Sequence, residues 1–191
     1  MLSSRLVRSG VVGALVAATA WTASGLVAFV FGVSPFGPEG SLSWYLIESS
    51  DAVAEAGMMV LLLGLHARQA PHGWPGTAGF LLAFAGTASI FLATVIYVLA
   101  ADGSLAIFDV LEPASRIGLL VGFPLLGVVT LRAKVLPRWS GPLLGIFPVV
   151  LVLVFILVEQ YGAVRALFGP YWLAVGYALW LSQRVPRTQP S

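Results

Sequence analysis

The chain has 191 residues, 59% of them hydrophobic and only 9% charged, with a mean hydropathy of +0.95. Soluble domains carry about a quarter charged residues, so this balance excludes a water-soluble globule and specifies an integral membrane protein. The formal charge of +2 gathers into no basic run, which argues against nucleic acid, and the absence of cysteine removes disulfides, thiolate metal centres and thiol redox chemistry.

A helix that crosses a bilayer needs roughly 20 mainly apolar residues. Six segments meet this: 9–33, 44–66, 77–100, 115–131, 141–158 and 164–181. Their apolar runs are unbroken, whereas a lipid-facing strand would alternate, so they read as helices. The connections are too short for a soluble domain. The expected fold is therefore an all-α membrane protein, one six-transmembrane-helix bundle over residues 1–191.

In the first segment Arg5 and Arg8 precede the apolar run and Ala18-Thr19-Ala20 resembles a signal cleavage site, but the run continues to Val33. That is too long for a signal core, so the segment reads as a retained helix. Its Gly13, Ala14, Ala17 and Ala18 form a small-residue face suited to close helix packing. Residues 34–43, with Pro35, Gly37, Pro38 and Gly40, read as an external turn. Trp44, Tyr45, Tyr161, Tyr171 and Trp172 are placed as anchors at the outer interface, and Trp74, Trp139 and Trp180 at the inner one.

The second segment carries Glu48, Asp51 and Glu55. At 100° per residue the three acids lie within about 60° of one another on a helical wheel. Met59, Leu62 and His66 continue the same face. Three carboxylates cannot comfortably face lipid, so this face is expected to point at protein or water. Glu55 lies about 16 Å in from Trp44, near mid-bilayer. A charge there costs on the order of 3 kcal/mol, and protonation, a cation or water offsets it.

The third segment, with Gly79, Ala83, Gly86, Thr87, Ser89 and Thr94, is expected inside the bundle. The fifth has no polar side chain and is expected to be the most exposed to lipid. Pro124 and Pro148 predict kinks, and Gly169-Pro170 predicts an interruption that leaves 164–168 as a short interfacial piece.

Eight of the ten Lys and Arg fall at the N-terminus, loop 2–3, loop 4–5 or the C-terminus. Arg116 and Arg165 are the exceptions. The excess of positive charge places both termini in the cytoplasm. All eight acids then lie outside or in outer helix halves. Arg116 and Arg165 share the level of Glu48 and Asp51, so Arg116 is expected to pair with Asp51 or Glu48, and Arg165 to join them or pair with Glu159. Two readings of this cluster stand side by side: an ion-pair set that fixes helix register, and a polar site open to the outside. His66, at the cytoplasmic end, is either an interfacial histidine or the end of a relay through Thr87, Thr94 or Thr130.

Leu62-Leu63-Gly64 before Trp74-Pro75-Gly76 is echoed by Leu125-Leu126-Gly127 before Trp139-Ser140-Gly141. The echo is either composition or a parallel two-helix repeat of segments 2–3 and 4–5. The stretch Leu131–Gly141, with Val135-Leu136-Pro137-Arg138-Trp139-Ser140-Gly141, resembles a cytoplasmic loop of small, uncharacterised bacterial polytopic membrane proteins, and Gly176-Tyr177-Ala178-Leu179-Trp180 is similar to their last helix. The resemblance implies a bacterial inner-membrane location and no particular activity.

There is no phosphate-binding loop, no H-E-x-x-H and no G-x-S-x-G. No cofactor is expected, and neither His has the spacing of a metal pair. Three functions follow as expectations. The first is transport or sensing of a proton or small cation through the acidic face of helix two. The second is a structural or accessory membrane subunit, and the third an intramembrane enzyme acting on lipid. An enzyme is the least expected, and the lipid bilayer itself is the one assured partner.

Overall fold

The structure, a computed structural model, describes residues 2–31, 41–69, 73–100, 108–156 and 161–184. It contains α1 (Leu2–Phe31), α2 (Leu42–Gln69), α3 (Trp74–Ala100), α4 (Phe108–Ala133), α5 (Ser140–Ile156) and α6 (Tyr161–Ser182). Among the described residues no strand occurs. The stretches Ser4–Val30, Trp74–Ala100 and Pro113–Ala133, in α1, α3 and α4, are long and apolar enough to cross a bilayer. A helix pays for every backbone polar group within itself, which is why apolar sequence of this length takes this form.

Around the bundle the order is α6, α1, α2, α3, α4, α5. α1 packs extensively on α2 and α6, and α3 on α4, while α5 rests mainly on α4 and meets α6 lightly. Small residues set the close approaches. A Cβ on Gly57 would lie 2.6 Å from the Gly13 carbonyl oxygen and 2.8 Å from the Ala17 amide, so α1 and α2 touch backbone to backbone. Gly86 and Gly118 do the same for α3 and α4, where a Cβ on Gly118 would lie 2.8 Å from the Gly86 Cα. The small face read from Gly13, Ala14, Ala17 and Ala18 is therefore buried, split between α2 and α6.

The light α5–α6 seam is filled by aromatic rings. Phe123 of α4 lies 4.4 Å from Phe147 of α5, which lies 5.2 Å from Trp172 of α6. Trp172 continues to Trp21 of α1 at 6.0 Å. α5, expected to be the most lipid-exposed helix, thus buries Leu144 and Phe147 while presenting Ile146, Val149 and Val152 outward.

Two local readings are corrected. α6 runs unbroken through Gly169-Pro170. The proline forfeits one backbone hydrogen bond, but Gly169 seats against Ala18 and Thr22 of α1, and that packing holds the turn. Trp44, Tyr171 and Trp172, expected as anchors, are buried inside the bundle at 2%, 9% and 0% exposure, because their rings are the filling between helices. Trp74, Trp139 and Trp180 are exposed. The 34–40 turn, His72, Glu39, Asp102 and the side chains of Asp109, Glu112 and Glu159 lie outside the described residues.

Candidate polar site

α2 starts at Ser41, whose hydroxyl accepts from the Trp44 amide at 3.2 Å and satisfies one free N–H of the first turn. The helix therefore begins in fixed register, and Glu48, Asp51 and Glu55 follow on successive turns of its inward side. The apolar residues buried beside them, Ile47, Ala54, Met58 and Leu62, are what turn that side inward.

Asp51 is the junction of three helices. Arg165 of α6 forms an ion pair with its carboxylate, with side-chain exposures of 3% and 14%. Trp21 of α1 donates its indole N–H to Asp51 Oδ1 at 2.9 Å. Arg165 also donates to the Ile47 carbonyl of α2 at 3.3 Å, so one guanidinium grips both backbone and side chain of the same helix. Half-buried Glu48 stands one turn above and is attracted to Arg165. Charge-assisted contacts of this kind are about twice as strong as neutral ones.

Glu55 lies one turn deeper and turns towards α3. It is 6% exposed. Thr94 of α3 donates its hydroxyl to Oε1 over 3.4 Å, at the long end for such a bond. The other oxygen, Oε2, is buried and accepts no hydrogen bond from any described residue. The three acids thus divide. Asp51 is held through Oδ1 by α1 and α6, whereas Glu55 is a buried, half-satisfied carboxyl group towards α3.

The remaining expected residues fall elsewhere. Arg165, not Arg116, is the cation at Asp51; Arg116 sits on the exposed side of α4. His66 stacks on Phe80 of α3, with ring centres 4.2 Å apart and planes at 17°, which is a packing contact. Of the hydroxyls considered for a relay, Thr87 and Thr130 bond back to the carbonyls of Ala83 and Leu126 in their own helices, and Thr94 alone of the three reaches the acid. Gln69 donates to Thr130 at 2.5 Å and ties the end of α2 to α4. No group of three or more His, Asp or Glu is placed to hold a metal among the described residues.

Trp21 is the residue that sequence reading missed. Its signal was an indole alone in an Ala/Gly-rich segment, since a buried indole N–H needs an acceptor and the acids of α2 are the nearest supply. Comparison with protein-family models, with curated proteins and with solved structures finds no match.

Proposed function

We propose that the protein moves or senses a proton or small cation through the acidic face of α2, with Glu55 as the group that exchanges it. The proposal places all six helices across a bacterial inner membrane with both termini in the cytoplasm. It treats α2–α3 and α4–α5 as parallel copies, each beginning its second helix at a W-x-G sequence. The resemblance of the Leu131–Gly141 loop and the sorting of Lys and Arg support that arrangement.

The observation that carries the reading is Glu55 Oε2, an acceptor inside the bundle to which no described donor is offered. A native fold leaves a buried polar atom unsatisfied at a cost of about 1–3 kcal/mol, more for a charged group. A proton or small cation arriving at that oxygen removes the cost, which is what an exchange site requires. Asp51 is less suited, because its Oδ1 already takes both the Arg165 ion pair and the Trp21 N–H.

A second reading is favoured by that same Asp51 junction. One residue from each of α1, α2 and α6 meets there, so the cluster also suits an accessory subunit whose charges only fix packing. Reconstitution separates the two. The expected outcome is that liposomes containing the protein dissipate an imposed proton, sodium or potassium gradient, and that Glu55→Gln abolishes this while remaining folded. Liposomes that hold all three gradients as tightly as protein-free ones would leave only the accessory role.

A further inference from the structure

The α1–α6 groove carries a second candidate site, at the end of the bundle opposite the acids. The two helices are antiparallel and closely apposed: a Cβ on Gly10 would lie 2.9 Å from the Leu179 side chain, and one on Gly176 would lie 2.5 Å from Ala14. That register brings Arg8 of α1 to the level of the α6 C-terminus, from which Arg184 is two residues further along the chain. Both are exposed.

They also share one side of the groove. α1 turns Ala14, Ala18 and Gly25 to α6, and Arg8 lies about 80° round from that direction, towards the open surface. On α6, Tyr177 and Trp180 lie one turn apart on an exposed stripe, and Arg184, two residues past the end of the helix, lies over it. Because the helices run in opposite directions, these offsets open to the same side. The Arg184 guanidinium lies 4.0 Å above the Trp180 ring, and Trp180 stacks on Tyr177 at 5.7 Å. The aromatic pair forms a shelf under the cation.

Among the described residues, the charged side chains at this end are all basic. The deepest acid of α2 is Glu55, about 20 Å along the helix from Arg68. Arg68 itself donates to the Ser182 carbonyl at 2.6 Å, so the C-terminus of α6 is already satisfied and Arg184 is not needed there. Beyond the shelf the groove walls become apolar, with Leu15 of α1 50% exposed and Leu173 of α6 44% exposed.

We propose that this groove binds an anionic phospholipid. Arg8 and Arg184 donate to the headgroup phosphate, Trp180 and Tyr177 underlie the glycerol region, and one acyl chain runs past Leu15 and Leu173. The apolar continuation is what selects a lipid over free phosphate. The site does not depend on the function proposed for Glu55.

Native mass spectrometry of the detergent-solubilised protein tests this, with dioleoylphosphatidylglycerol and dioleoylphosphatidylcholine titrated in parallel. An interfacial arginine favours an anionic lipid about fivefold, so the wild type is expected to prefer phosphatidylglycerol about 25-fold. R8Q and R184Q each lose about fivefold of that preference, and the double variant loses nearly all of it. R132Q/R138Q, at the α4–α5 end, keeps it, and millimolar inorganic phosphate does not compete. Equal binding of the two lipids by the wild type overturns the proposal. So does equal loss in both double variants, or displacement of the lipid by phosphate.

Discussion

The guanidinium of Arg165 closes on the carboxylate of Asp51 with both side chains withdrawn from the surface, at 3% and 14% exposure. The pair spans from α6 to α2, helices that otherwise touch little, so it acts as a tie across the bundle. A buried pair adds less to stability than its Coulomb attraction suggests, because both ions were desolvated to make it. Its breakage by removal of one partner is another matter, since the charge left behind has nowhere to go.

Asp51→Asn and Arg165→Gln are therefore each expected to destabilise the protein by about 3 kcal/mol. The double variant should lose less than the sum, because neither charge is then stranded. Denaturant unfolding in micelles, followed by far-UV circular dichroism, measures all three. Strict additivity would mean that the two residues act separately.

Trp21→Phe keeps the ring that lies 5.5 Å from Phe168 and 6.0 Å from Trp172 but deletes the N–H given to Asp51. A hydrogen bond to a charged group contributes about 2 kcal/mol, which is the expected loss. The loss should shrink by at least half when Asp51 is already Asn. An equal loss in both backgrounds would assign the effect to ring packing.

Much of this was legible in the sequence, and the part that was not has a physical reason. The acids of α2 announced an inward face because three carboxylates in an apolar run have no other place, and Gly13, Ala14, Ala17 and Ala18 announced the close face of α1. Periodicity says which way a residue points along its own helix and nothing about its neighbour. Hence Arg116 was expected at Asp51 or Glu48, and Arg165 beside them or at Glu159, while the structure puts Arg165 at Asp51. For the same reason Trp44, Tyr171 and Trp172 read as interfacial, although the α5–α6 gap draws the last two inward to fill it. Helix ends shifted too: α4 begins at Phe108, well before residue 115, and runs through Pro113 although that residue offers no backbone N–H to the turn before it.

Glu55 and Thr94 make a prediction in which stability and activity move apart. Glu55→Gln keeps the size of the side chain and removes an ionisable group from the interior, so unfolding is expected to be unchanged or harder by up to about 3 kcal/mol. Thr94→Val deletes a long contact of 3.4 Å and should cost no more than about 1 kcal/mol. Ion flux, by contrast, should vanish in the first variant and persist at a changed rate in the second. Flux that survives Glu55→Gln would remove Glu55 from the pathway.

Two glycines test how the helices are held apart. Gly57 faces α1, where an added Cβ would meet the Gly13 carbonyl and the Ala17 amide, both backbone atoms that cannot rotate away. Gly57→Ala must push α1 from α2 and is expected to cost about 1–3 kcal/mol, the usual range for overpacking. Gly145 of α5 has nothing within 4 Å of the same position. There the higher helix propensity of alanine acts unopposed, and Gly145→Ala should stabilise by up to about 1 kcal/mol. Micellar unfolding of both variants reads the difference directly. If Gly57→Ala proved as harmless as Gly145→Ala, α1 and α2 would not be in backbone contact, and the site at Asp51 that depends on their spacing would have to be placed anew.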